Sequence, residues 1–148
     1  MSAVGEAVRL PNWEMALSAF MQENQWRTFK WGEWDCILFA TAAAKVITGE
    51  DRGADYRGRY SDQKGARQAL RDIGKGTLLR TVDANFVRKP VGNAQRGDLV
   101  WRDGCVGICL GSTAAFLTDD KLLEIAGAPR LGNFLLLPRR FWQKAWAV

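Results

Sequence analysis

The stretch Trp31-Gly32-Glu33-Trp34-Asp35-Cys36-Ile37-Leu38-Phe39-Ala40 places a cysteine at the opening turn of an apolar helix, in a chain that contains no histidine. The first turn of a helix is where proteins build thiolates, because unpaired N–H groups and the macrodipole stabilise negative charge there. A cysteine hydrolase then needs an imidazole to take and return protons. The segment therefore points to an enzyme scaffold, and the composition points to a scaffold that does not hydrolyse. Asp35 pulls the same way, since a neighbouring anion favours the neutral thiol over the thiolate.

Working outward, the run from Asp35 to Thr48 is apolar on most sides and closes at Gly49. A helix of that kind belongs in the middle of a core, and its alanine-rich face permits close approach of another element. Before it, Asn12 reads as an N-cap for a helix with Trp13, Ala16, Leu17, Phe20 and Met21 on one stripe. After it, Gly53 to Tyr60 reads as an exposed connection. Ser61 is then expected to cap a third helix with Ala66, Ala69, Leu70 and Ile73 inside and Gly74 at C′. A shorter helix is expected from Thr77 to about Phe86.

The second half changes period. Gly97 to Trp101 and Val106 to Leu110 read as two strands about an Asp103-Gly104 hairpin turn. Ala114 to Thr118 and Lys121 to Ala126 repeat the pattern around Asp119-Asp120, and Asn133 to Leu137 and Lys144 to Val148 read as further strands. Helices followed by an antiparallel meander predict an α+β fold: N-terminal helices packed on a C-terminal antiparallel sheet, in one domain spanning residues 1–148.

The chain has 148 residues, 47% of them hydrophobic, enough for one sizeable core. Three cysteines are too few for a disulfide scaffold, so a reducing compartment is expected. Glu6 and Arg9 interrupt the N-terminus before an apolar stretch of signal-peptide length develops, and no run approaches the roughly 20 apolar residues of a membrane span. The net charge of +5 is uneven: residues 51–90 carry ten Lys/Arg against five Asp, while the rest of the chain balances. No aromatic stacking pattern accompanies these charges. They read as a solvated helix face with interleaved Asp rather than a nucleic-acid surface.

The chain resembles the NlpC-type cysteine peptidases, small papain-like enzymes acting on cell-wall peptides. The resemblance rests on Phe29-Lys30-Trp31-Gly32, Asp35-Cys36, Gly97-Asp98-Leu99-Val100 and Cys105-Val106-Gly107-Ile108-Cys109-Leu110-Gly111. It implies that Cys36 stands at the nucleophile position and Cys105 at the position of the family's histidine. The strand that would supply the residue orienting that histidine offers Ala114, Ala115 and Phe116. Ile37 and Leu38 replace a Ser-Gly after the nucleophile, and Phe29 replaces a tyrosine. The base, its orienter and one polar wall are thus absent together, which predicts a packed-over site.

The chain is also similar, nearly end to end, to a histidine-lacking branch found in phages and prophages and encoded among tail-assembly genes. The shared residues are Leu10-Pro11-Asn12-Trp13, Trp31 to Ala40, Tyr56-Arg57-Gly58-Arg59-Tyr60, Gln95 to Asp98 and Ala145-Trp146-Ala147-Val148. This implies a non-enzymatic structural or assembly protein of a phage or prophage tail tip. Its partners would be other tail or baseplate proteins, and it would be made in the bacterial host cytoplasm and carried in the virion. The alternative is an active cysteine hydrolase of peptidoglycan peptides with Cys36 as nucleophile and a base borrowed from elsewhere.

If Cys105 occupies the histidine position, its sulfur lies near that of Cys36. Two reduced thiols, a disulfide or a soft-metal site are then open. The metal would need a further ligand, for which Cys109 and Asp35 are the candidates; no metal or cofactor is expected. Arg57, Arg59 and Tyr60 are expected to anchor a surface loop through Arg–carboxylate pairs and are candidate partner contacts. Trp142 and Trp146, with Phe141 alongside, read either as a docking surface for a neighbouring subunit or as packing of the last strand.

Overall fold

A computed structural model of the chain describes residues 8–118 and 127–148. The strand expected from Lys121 to Ala126, and its Asp119-Asp120 turn, lie outside the described residues. Four helices come first: α1 Trp13–Asn24, α2 Cys36–Thr48, α3 Gln63–Asp72 and α4 Leu78–Asn85. Seven strands follow: β1 Val87–Lys89, β2 Leu99–Arg102, β3 Cys105–Cys109, β4 Thr113–Phe116, β5 Arg130–Leu131, β6 Phe134–Pro138 and β7 Lys144–Ala147. Among the described residues they form one sheet in the order β1-β7-β2-β3-β4-β6-β5, every pair antiparallel. The fold is α+β. It is not the simple meander that the strand pattern suggested, because β7 returns to lie between β1 and β2. The short β1 and β5 carry too few residues for a period to show.

Helix α2 is the buried centre. Asp35 caps it, its Oδ1 accepting from the Leu38 N–H at 3.0 Å, and Gly49 ends it with φ 85° and an N–H donated to Lys45 O at 2.7 Å. Its apolar sides meet α1 and the sheet in a core of Leu17, Met21, Phe39, Ile47, Leu99 and Ile108 among others. Phe39 joins α2 to the sheet through Phe134, at 4.7 Å between ring centroids, and also contacts Phe20 and Trp34. The opposite face of the sheet is buried too, by Val100, Cys109, Phe116, Leu135, Leu137 and Trp142. Both faces being covered explains why all five residues of β3 are buried, with Cys105 and Cys109 on one side of the strand and Val106 and Ile108 on the other.

The β2–β3 hairpin turns on Asp103 and Gly104, both at positive φ (47° and 85°), the pair of left-handed residues a two-residue turn requires. At the other end of β2, the Asp98 carboxylate is buried and ties distant segments together. It accepts from Arg9 at 3.0 Å, Lys89 at 2.7 Å, the Gln95 N–H at 2.8 Å and the Val148 N–H at 3.1 Å.

Several local expectations are corrected. Asn12 precedes α1 but adopts φ 62° and makes no side-chain cap, and Leu17 and Met21 are the fully buried members of that stripe. Asp62, not Ser61, caps α3, its Oδ1 accepting from Gly65 N–H at 2.6 Å. Ile73 is 42% exposed rather than inside. Gly74 does follow the helix, yet the positive-φ residue of that turn is Gly76, whose N–H reaches Leu70 O. No helix among the described residues is long and apolar enough to cross a membrane.

Candidate functional site

The site forms where the first turn of α2 meets the start of β3. Cys36 opens the helix, Cys105 opens the strand, and their side chains interact directly. Neither is in a disulfide, and they are 8% and 1% exposed. The interaction with Cys105 is the largest influence pushing the Cys36 thiol well above its ordinary range. Burial and the nearby Cys105 and Asp35 charges push the same way, against a smaller opposing contribution from the Val106 backbone. The helix N-terminus does not prevail. Cys36 is held as a neutral thiol.

Asp35 is fully engaged in holding the local backbone. Beyond its cap to Leu38, its Oδ2 accepts from the Gly32 N–H at 3.1 Å and from the Tyr60 hydroxyl at 2.5 Å. Gly32 is required there twice over. Its φ is 78°, and a Cβ would collide with the carbonyl oxygen of Tyr60. The contact is locked by the Gly58 N–H donated to Gly32 O at 2.8 Å. The connection after α2 is therefore folded onto the site rather than exposed along its length: Gly53 is buried, and Tyr56 and Tyr60 are half-buried. Burial first, then Asp35, raises the Tyr60 phenol far above its usual range, so it acts as a fixed hydrogen-bond donor.

Beside the thiols lies a cavity of about 320 Å³. Cys36 and Cys105 line it together with Leu38 from α2, Leu70 from α3, Val82 from α4 and Tyr60 from the connection. The expectation of a packed-over site is thus corrected. Apolar side chains of α2, α3 and α4 line this space without filling it. The mostly solvated reading of residues 51–90 is refined as well, because this basic segment forms much of the cavity wall, Arg52 and Arg67 included.

Of the other residues singled out, Arg57 does anchor the connection, pairing with Asp51 at 2.9 Å and lowering its acidity range. Arg59 is exposed and forms no ion pair among the described residues. Trp142 and Trp146 are 5% and 0% exposed, so neither presents a docking surface. Trp142 donates its indole N–H to Leu137 O at 3.0 Å, and Trp146 donates to Asp83 Oδ1 at 2.8 Å. The aromatic left exposed is Trp26, at 73%.

Cys109 lies at the far end of β3, where its thiol approaches Gly111 O at 3.7 Å and burial raises it above the ordinary range. Four residues along a strand amount to roughly 13 Å, too far to join the Cys36–Cys105 pair. Among the described residues no three His, Cys, Asp or Glu side chains gather as a metal site.

The sequence over residues 8–148 matches a domain family of unknown function, DUF6950. The chain belongs to the DUF6950 family. No match was found to curated proteins or to solved structures. Both thiols and every helix that walls the cavity fall within the matched span.

Proposed function

We propose that this DUF6950 protein is a non-enzymatic structural or assembly component of a phage or prophage tail tip, built on an NlpC-type peptidase domain that has lost hydrolysis. The observation supporting the loss is the interaction of Cys36 with Cys105. The Cys105 side chain interacts with Cys36 where a proton shuttle would have to stand, in a chain that contains no histidine. Asp35, the nearest carboxylate, is already committed to three donors. The tail assignment rests on the near end-to-end sequence resemblance, and its partners would be other tail or baseplate proteins within the virion.

The open cavity favours a second reading, a cysteine hydrolase of peptidoglycan peptides that borrows its base from another chain. Two measurements separate the readings. Purified protein incubated with peptidoglycan stem peptides is expected to leave them intact. Phage carrying Cys36→Ala is expected to assemble and infect normally, with the protein present in purified particles. Cleavage of stem peptides abolished by Cys36→Ala would overturn the first reading, and absence of the chain from particles and assembly intermediates would overturn the tail assignment.

A further inference from the structure

We infer that the cavity beside Cys36 binds a small amphipathic carboxylate, an apolar chain or ring ending in one anionic group. At about 320 Å³ the space is at the lower end of small-molecule pockets, which run from ~300 to 1,000 Å³. Its body is apolar, lined by Ile37, Leu38, Ala66, Leu70, Val82 and Phe86. Such a lining takes hydrocarbon out of water and by itself says nothing of a headgroup.

The charges supply that part. Four charged residues line the cavity: Asp35, Arg52, Arg67 and Asp103. Both carboxylates are already satisfied. Asp35 accepts from Gly32, Leu38 and Tyr60, while Asp103 pairs with Arg102 at 3.1 Å and accepts from Gln143 at 3.0 Å. The cations are not. Arg52 meets Glu50 only at 3.5 Å, in an exposed contact, and Arg67 has no ion pair or side-chain hydrogen bond among the described residues. Gln63, one helical turn before Arg67 and also lining the cavity, likewise has an unengaged amide. A guanidinium and an amide on α3, with a second guanidinium from the connection after α2, give the cavity lining donors suited to a carboxylate. A cationic ligand would meet two arginines and no available acceptor carboxylate.

This inference also gives the basic excess of residues 51–90 a use, since half-buried Arg52 and exposed Arg67 both line the cavity. It is independent of the tail assignment and of hydrolysis, because its test reads binding alone. The purified full chain is titrated calorimetrically with decanoate, and with decanol and decylamine as probes of equal length. Decanoate is expected to bind saturably at one site, decanol about tenfold more weakly and decylamine not measurably. Arg67→Gln should weaken decanoate about tenfold, and Ala66→Phe, which fills the cavity, should abolish it.

A readout on the unmodified protein guards against misfolding of the variants: saturating decanoate should slow alkylation of Cys36 several-fold at mildly alkaline pH. No saturable decanoate binding at millimolar concentration, equal affinity for the three probes, or binding that leaves Cys36 alkylation unchanged would each overturn the proposal. Binding of an apolar peptide without affinity for decanoate would overturn it as well, and would give the cavity to a protein partner.

Discussion

Tyr60 donates its hydroxyl to Asp35 Oδ2 at 2.5 Å, so a connection that follows α2 in sequence is fastened to the cap at the start of that same helix. The bond closes a loop around Gly32 and holds one wall of the cavity against the thiols. Tyr60→Phe removes one donor from a buried carboxylate while leaving the Gly32 and Leu38 N–H groups in place. The expected cost is about 2 kcal/mol, the range for hydrogen bonds to charged groups, measured by urea unfolding. A loss under a few tenths of a kcal/mol would mean the connection is not held by this contact.

The raised Cys36 thiol carries a pH signature whose sign follows from linkage. The folded state keeps its proton to a higher pH than the unfolded chain, whose thiols ionise near about 8.5. Stability from this group is therefore fully present below that pH and falls as the pH rises toward the folded value. Tyr60 and Tyr56, both raised chiefly by burial, add a similar decline at still higher pH. Unfolding free energies measured from neutral to alkaline pH should show this fall, and Cys36→Ala should flatten its first part. An unchanged slope in that variant would show that the thiol ionises freely in the folded protein.

Much of this arrangement was legible in the order of residues, and the reasons it stopped being legible are physical. Helix α2, its Asp35 and Gly49 ends and the Asp103-Gly104 hairpin depend on local periodicity and turn chemistry, which a sequence displays directly. The pairing of Cys36 with Cys105 was expected from family resemblance alone, since nothing in the spacing of two residues so distant fixes their contact. The placement of β7 between β1 and β2 is a non-local choice among strands with equivalent patterns. The cavity was missed because apolar residues at a site read equally well as filling or as lining. Which they do depends on where α3 and α4 sit. The burial of Trp142 and Trp146 depends likewise on a second covered face of the sheet, which the alternation of β7 alone does not reveal.

Asp98 shows how a motif residue can be structural. Its carboxylate, 1% exposed, holds Arg9, Lys89 and two backbone N–H groups drawn from separate parts of the chain. Asp98→Ala would strand two cations and two amides at once. Breaking a buried pair by removing one partner costs about 3–5 kcal/mol, and the partial exposure of Arg9 and Lys89 moves the expectation to about 3 kcal/mol. Chemical denaturation measures it, and replacing Lys89 with Met in the Asp98→Ala background should recover part of the loss. If the double variant is no more stable than Asp98→Ala, the lysine charge is solvated well enough to stand alone.

Placing an imidazole at position 105 tests the proposed loss of a base from the chemical side. Cys105→His places a base beside Cys36 and removes the thiol whose interaction does most to keep Cys36 protonated. The adjoining cavity offers room for the larger side chain, since Cys105 lines it. An imidazolium partner lowers cysteine acidity ranges strongly, so iodoacetamide should alkylate Cys36 at neutral pH at least about tenfold faster in Cys105→His than in the native chain. Cys105→Ala, which removes the partner without adding a base, should give a smaller increase. Equal rates in the two variants would mean that the position opposite Cys36 cannot deliver a proton acceptor to it, whatever residue stands there.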